Sequence, residues 1–386
     1  MEPMNCVMRL DSGGCEVWNG EQFQTVDRMT VAGVLGLKPE QVKLNMLYAG
    51  GSFGRRANPQ SDYLVETATI VKAINGRAPV KLVWTREDDT RAGFYRPLYY
   101  HAFKAGLDAN GNIVAWHHRI VGQSILTGTA FESMMVKDGV DGTSVEGAST
   151  LPYTIPHRAV DLHSPKLPVP VQWWRSVGST HTAYSTETFL DELAAAAGKD
   201  PYALRRALLD KHPRHKAVLE LAAQKADWSK PLAKGRAGER RGRGIAVHES
   251  FKTFVAQVAE VTVKRDGSFT VDRVVCAVDC GVAVNPDVIR AQMEGGIGYG
   301  LSAALHGAIT LKQGVVEQSN FHDYPPLRIN EMPVVEVHIV ASAEKPSGVG
   351  EPGTPVIAPA VANALFAATG KRLRRLPFDT TQLKQA

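Results

Sequence analysis

The sequence predicts a mixed α/β chain of the α+β kind, and three observations predict it. Short apolar runs punctuated by Gly and Pro fill the first 180 residues, a helical block occupies 186–226, and β-alternation resumes at Val255. Strands gathered on either side of a block of helices, rather than strands and helices in strict alternation, are the pattern of an α+β chain.

The elements follow in order. Val42 to Tyr48 alternates as a strand and breaks at Gly50-Gly51. Residues 61–74 place Leu64, Ala68 and Val71 at helical spacing, with Asn75-Gly76 as the stop. Pro79 to Trp84 reads as a strand, and Ala102 to His118 as a hairpin turning at Asn110-Gly111. Thr186 is placed to cap a helix running through Ala197, which Gly198 ends. Asp200-Pro201 opens a second helix, with Asp as the cap and Pro at the first position, and a third follows over Lys216 to Ala226. Val255–Lys264 and Ser268–Ala277 form a hairpin joined at Asp266-Gly267. Asp287 to Leu305 reads as a helix despite four glycines, each costing ~1 kcal/mol in a helix interior. A neighbouring helix or a ligand packed closely against it would explain them. Val334 to Ala341 is an alternating strand, and Ile357 to Thr369 a helix stopped by Gly370. The helical block and the basic run after it divide the chain into expected domains of 1–235 and 236–386.

The composition excludes several classes. With 44% hydrophobic and 22% charged residues, 35 Gly and 22 Pro, the chain is globular and loop-rich. Its net charge of +5 is small, and the densest basic run, Arg236 to Arg243, is Gly-rich without interleaved aromatics, so a solvated linker is expected and nucleic-acid binding is not. Four cysteines, Cys6, Cys15, Cys276 and Cys280, are too few and scattered for a disulfide framework or a zinc site, and are expected as buried thiols. No run approaches ~18 uninterrupted apolar residues, so no transmembrane helix is encoded. The start MEPMNCVMRLDSGG lacks the basic and apolar regions of a signal peptide. The cytoplasm is expected, or the periplasm if a partner carries the chain.

Four segments are candidates for chemistry. Gly50-Gly51-Ser52-Phe53-Gly54-Arg55-Arg56 follows a strand and precedes a helix, an arrangement that brings backbone N–H groups and a helix dipole to an anion, although it matches neither the P-loop nor GxGxxG. A tight turn crossing the core is the plain alternative. In Gly348-Val349-Gly350-Glu351-Pro352-Gly353 a single carboxylate sits in a stiff loop before a helix. It is either a turn or helix-capping carboxylate or a partly desolvated general base. Trp173-Trp174-Arg175 presents an Arg that either stacks on Trp or holds an oxo-anion or carbonyl in a pocket. Gln292 and Glu294 head the glycine-interrupted helix, where a polar cofactor tail can meet them, and plain helix-surface solvation is the alternative for Glu294. No GxSxG elbow, HExxH pair or carboxylate cluster is present, which removes most hydrolase and phosphotransferase readings.

Together these pieces resemble the large, molybdopterin-binding subunit of the xanthine dehydrogenase and aldehyde oxidase superfamily, in the isoquinoline 1-oxidoreductase branch. The resemblance is carried in family order by EPMNC at 2–6, EVW at 16–18, GGSFGRR at 50–56, WRSVGSTH at 174–181, RGRGIAVH at 241–248, VDCGVAVNPDVIRAQMEGG at 278–296, NFHDYPPLRINEMP at 320–333 and GVGEPGTPVIAPAVANALFAATG at 348–370. It implies two molybdenum-cofactor domains, the first incomplete, that hydroxylate an N-heteroaromatic or oxidise an aldehyde with water as oxygen donor. Glu351 is then the catalytic base and Arg175 the substrate-side Arg. Gly50, Gly51, Ser52, Phe53 and Gly54, with Gln292, Gly295, Gly296 and Gly350, are then cofactor contacts. The implied cofactor is a molybdenum-molybdopterin cytosine dinucleotide, with no metal ligand from the chain itself. Electrons would leave through a small partner subunit carrying [2Fe–2S] clusters, because four cysteines cannot supply that wiring here.

Family subunits are considerably longer, and the part upstream of the EPMN motif is missing. A sister chain supplying it, or a truncated product, is therefore expected. The alternative function is a non-catalytic fragment or assembly module that needs such a sister chain to hold cofactor.

Overall fold

The computed structural model describes residues 2–385. Strands β1 (Asn5–Asp11) and β2 (Gly14–Asn19) form a hairpin across Ser12-Gly13, a turn the sequence reading passed over. With β3 (Val42–Met46) and β4 (Val80–Val83) they build a sheet of order β3-β2-β1-β4. Helices α1 (Gln24–Leu35) and α2 (Asp62–Ala73) pack together against it. Met8, Val17, Val31, Leu64 and Ala68 fill the space between, as the spacing of Leu64 and Ala68 predicted.

After a short α3 (Arg86–Arg91), β5 (Tyr99–Leu107) and β6 (Ile113–Gly122) form the hairpin expected at Asn110-Gly111. Two brief helices, α4 (Glu132–Met135) and α5 (Gly142–Val145), flank the small pair β7 (Val136–Lys137) and β8 (Val140–Asp141). Strand β9 (His157–His163) then joins β6 in parallel.

The helical block comprises α6 (Ser179–Ala196), α7 (Pro201–Leu208) and α8 (Pro213–Lys225). Asp200 caps α7 through the Ala203 N–H as expected. Thr186, in contrast, is no cap. It lies buried within α6 and its hydroxyl donates to the Thr182 carbonyl. The helix starts at Ser179 because Glu146, from a distant loop, accepts the Gly178 and Ser179 N–H groups at 2.6 and 3.1 Å.

The last sheet has the order β10-β11-β12-β15, from β10 (Arg240–Ser250), β11 (Thr253–Val263), β12 (Phe269–Asp279) and β15 (Val334–Ile339). The expected linker at 236–243 is therefore a turn only as far as Glu239. From Arg240 it is strand, and the charged ends are absorbed locally: Arg243 donates to the carbonyls of Ala226, Asp227, Trp228 and Lys230. Helix α9 (Pro286–His306) precedes a small pair, β13 (Leu311–Lys312) and β14 (Val315–Val316). Helix α10 (Ile357–Thr369) is buried along most of its length and packs on β10 and β11. Gly244 permits that approach, since a Cβ there would collide with the backbone of Ala360 and Ala364. The four cysteines are free and buried, as expected. Among the described residues no helix is long and apolar enough to cross a membrane.

Candidate active site around Glu351

Three segments far apart in sequence meet beside α9. Glu351 lies in the loop before α10, and its contacts tie that loop to the turn at Ser176. Its Oε1 accepts the Ser176 N–H at 2.8 Å, and its carbonyl accepts the Ser176 hydroxyl at 2.7 Å. The side chain makes no cap to α10. Its second oxygen, Oε2, has no protein partner among the described residues. Thus one carboxylate oxygen is anchored while the other remains free to take a proton.

The turn that supplies this anchor is strained. Ser176 and Val177 both have left-handed backbone, with φ of 73° and 46°. A β-branched residue is a genuine outlier there, and such strain persists only where surrounding contacts hold it. Glu146, bonded to the next amides of the same turn, is pushed up to about 7 by burial, with the Glu351 charge adding to the effect.

Arg175 does not stack on a tryptophan. Its Nε donates to the Gly350 carbonyl at 2.7 Å and a terminal nitrogen donates to Gln292 Oε1 at 3.1 Å. It thereby ties the Glu351 loop to α9. Burial lowers its pKa, opposed by Tyr299 and Glu351. Tyr299, on α9, is sandwiched between Phe53 at 4.6 Å and Trp174 at 4.5 Å. Neither Tyr299 nor Glu146 stands out in the sequence, one being an aromatic within a helix and the other a carboxylate in an ordinary loop.

The GGSFG segment reaches the same place. Its position differs from expectation: α2 begins only at Asp62, so no helix N-terminus follows the glycines directly. The loop is instead held by side chains. Gly50 N–H donates to Glu2 and Gly54 N–H to Gln22, Gln172 donates to the Gly54 carbonyl, and the fully buried Arg56 bonds Glu2 and the Gly20 carbonyl. Gly51 and Gly54 have φ of 108° and 100°. A Cβ on Gly54 would lie 2.8 Å from the Trp173 carbonyl, so glycine is required. The N–H groups of Ser52 and Phe53 have no acceptor among the described residues.

Glycines of α9 and of the Glu351 loop meet different surroundings. Gly296 and Gly300 face protein: a Cβ on Gly296 would lie 3.1 Å from Gly353, and one on Gly300 2.5 Å from the Thr354 carbonyl. Gly295 and Gly350 face open space, with nothing within 4 Å of where a Cβ would stand. Arg175 bonds Gln292 and the carbonyls of Gly350 and Phe53, and Phe53 stacks on Tyr299, so the loops bearing Glu351 and the free amides of Ser52 and Phe53 meet at α9. Among the described residues no group of three or more His, Cys, Asp or Glu side chains is placed to hold a metal ion.

Family models described as molybdopterin cofactor-binding domains match residues 1–209 and 190–333. The chain belongs to that molybdopterin cofactor-binding family. The isoquinoline 1-oxidoreductase subunit beta of Brevundimonas diminuta is 35% identical over 98% of this chain and 48% of its own length. A membrane-bound aldehyde dehydrogenase [pyrroloquinoline-quinone] of Gluconacetobacter polyoxogenes is 33% identical over 98% of this chain and 51% of its own length. The chain thus spans about half the length of these curated relatives. The crystal structure of quinoline 2-oxidoreductase from Pseudomonas putida 86 superposes with a TM-score of 0.87 over 99% of this chain and 73% of that one, at 13% identity. At that identity the likeness is one of fold.

The residues fit a pterin-bound metal group. Free backbone amides at 52 and 53 and an uncovered Gly295 offer what an anionic, bulky group needs: donors without acceptors and backbone that a side chain does not screen.

Proposed function

We propose that this chain forms the molybdenum-cofactor portion of an oxidoreductase that hydroxylates an N-heteroaromatic ring of the isoquinoline kind, or oxidises an aldehyde, with water as the oxygen source. The observation that carries this reading is Glu351, anchored through one oxygen by Ser176 and free at the other. A general base must hold its position and keep one oxygen available for the proton it removes.

The bound molybdenum-pterin group would supply the two-electron redox chemistry. The amides of Ser52 and Phe53 would donate to its anionic oxygens, and Gln292, Gly295 and Gly350 would border its pterin and dinucleotide parts, whereas Gly296, expected among these contacts, packs on Gly353 instead. Arg175 holds Gly350 and Gln292 in register, so that the loop bearing Glu351 and the helix bordering the cofactor move as one piece. Glu351 Oε2 then accepts the proton released as water is incorporated. We further infer a cytosine dinucleotide form of the cofactor and a small [2Fe–2S] partner subunit as the electron outlet.

The test is co-purification of the chain with its partners, followed by metal and pterin analysis and turnover assays on isoquinoline and aromatic aldehydes. Glu351→Gln keeps normal molybdenum and pterin content while turnover falls by ~10²–10⁴-fold, the usual contribution of a general base. Activity retained in that variant overturns the role of Glu351. A chain devoid of pterin when assembled with its partners overturns the whole reading in favour of a non-catalytic module.

A further inference from the structure

We propose that Thr253 and Gln257 are positioning residues for Glu351, so that strand β11 holds the loop bearing the base at one point before it and one point after it. The inference rests on the reading of Glu351 as a base.

Packing alone does not fix the backbone that leads to Glu351. Gly348 and Gly350 flank Val349, and a Cβ at either glycine would meet nothing within 4 Å. Two glycines so placed give the chain wide conformational freedom, which other contacts must remove if the carboxylate is to keep one position. Val349 packs on the core, and the carbonyls of both glycines are held by side chains. Arg175 takes the Gly350 carbonyl, and Thr253 takes that of Gly348. The Thr253 hydroxyl donates to Gly348 at 2.7 Å and so accepts from the Ser347 hydroxyl, 2.6 Å away.

Beyond Glu351 the same strand takes hold again. The Gln257 amide nitrogen donates to the Gly353 carbonyl at 2.9 Å. Thr253 and Gln257 are both fully buried, and they stand four residues apart on β11, so their side chains leave the same face of the strand. Between the two holds the backbone closes a turn, with the Thr354 N–H on the Glu351 carbonyl at 2.9 Å. Strand β11 is paired on both sides, by β10 and β12, and cannot drift. Glu351 is thus carried on a segment fixed at each end by one central strand, and that strand sets where the carboxylate meets the Ser176 N–H.

The connection into β11 is short and strained. Phe251 and Lys252 alone join β10 to β11, with left-handed φ of 53° and 64° where Asn and Gly are the favoured residues. Such strain persists only where neighbouring contacts hold it. Here the Glu249 carboxylate takes the Lys252 N–H at 2.7 Å, and the Ser347 hydroxyl lies 3.1 Å from the Lys252 carbonyl. The strained tip and the Glu351 loop therefore hold each other.

Hydrogen exchange and turnover test the assignment together. Thr253→Val keeps the shape of the side chain and removes its hydroxyl. Gln257→Met keeps the length and removes the donor, and it carries the test if Thr253→Val does not fold. In the full chain each substitution should speed exchange of the Ser176 amide about 5–10-fold, the scale of one hydrogen bond, while amides of the β1–β2 hairpin exchange as in wild type. In the enzyme assembled with its partners, molybdenum and pterin contents stay normal, KM stays within about twofold and kcat falls at least ~10-fold, against the ~10²-fold that a misplacement of 1 Å can cost. Thr253→Ser restores the hydroxyl and should recover both slow exchange and kcat, which a Thr253 that only fills space would not do. Wild-type Ser176 exchange or wild-type kcat in the folded variants overturns the assignment and leaves Glu351 as the base. Turnover retained in Glu351→Gln, or an assembly without pterin, overturns the base reading and the assignment with it.

Discussion

Gly295 and Gly300 stand little more than one turn apart on α9, and substituting each by alanine should move stability in opposite directions. Both pay the entropic penalty of glycine in a helix, so alanine gains about 1 kcal/mol at either place before any contact is considered. At Gly295 nothing lies within 4 Å of the new methyl group, and the gain is kept. At Gly300 the methyl would stand 2.5 Å from the Thr354 carbonyl oxygen and 2.7 Å from Ile357 Cγ2. The first of these is backbone and cannot swing aside, so α9 must retreat from the loop before α10. Overpacking costs about 1–3 kcal/mol, and about 2–3 kcal/mol against backbone that cannot yield, which outweighs the propensity gain of about 1 kcal/mol and leaves Gly300→Ala less stable by about 1–2 kcal/mol. Urea unfolding of the full chain measures both through the midpoint. A second readout distinguishes function from stability. Gly295→Ala, although more stable, should carry less pterin, because its methyl group occupies the space left open for the cofactor. A Gly295→Ala chain less stable than wild type, or a Gly300→Ala chain equally stable, would refute the division of these glycines.

Two further outcomes follow from buried carboxylates. Glu146, raised to about 7 mainly by burial, keeps its proton in the folded chain where the unfolded chain has lost it. Stability from this group is therefore fully present below the ordinary carboxylate range and declines as pH climbs towards 7. Glu146→Gln, whose amide oxygen still accepts from Gly178 and Ser179, should flatten that decline in thermal melts between these pH values; unchanged slopes would contradict it. Part of the slope persists, since burial raises Glu21 and Asp27 to about 7 and 6. Arg205 is fully buried against Glu187 at 2.9 Å, and Glu187 also accepts the Tyr153 hydroxyl and the Val247 N–H. Arg205→Met should cost about 3–5 kcal/mol by stranding that carboxylate, and Glu187→Met in the same chain should recover much of it; a single variant within about 1 kcal/mol of wild type in urea unfolding would sink the idea.

What could be read from the sequence was whatever local chemistry decides. Asn110-Gly111 and Asp266-Gly267 turn their hairpins, Asp200-Pro201 opens α7, and Gly370 closes α10 with a φ of 70°, because each signal acts within a few residues of itself. The start of α6 was misplaced for the opposite reason. Thr186 is a sound local cap, yet Glu146 supplies a cap from a loop 32 residues before Gly178, and no periodicity reveals that. The basic run at 240–243 was misassigned likewise, since the carbonyls that neutralise Arg243 come from the end of α8. Within the site, Glu351, Arg175 and Gln292 each stood out by composition. Their mutual bonds exist only because β-sheet and helix packing bring residues 175, 292 and 350 together.

The turn at 174–178 shows why the site is spread over the chain in this way. Holding two non-glycine residues in left-handed backbone costs of order 1–3 kcal/mol each, and a lone loop would relax. Here successive amides of the turn are claimed by two carboxylates, Ser176 by Glu351 and Gly178 and Ser179 by Glu146. Gly178 cannot be replaced, because a Cβ there would collide with the Thr143 carbonyl. Glu146 follows Thr143 by three residues, so one short segment both excludes a side chain at Gly178 and fixes the amides around it. Glu351 is consequently positioned by a turn that is itself clamped from the far side. Loosening Glu146 should therefore disturb Glu351 without touching it, through the geometry of the Ser176 N–H, and the backbone strain at Ser176 and Val177 measures how firmly that clamp is set.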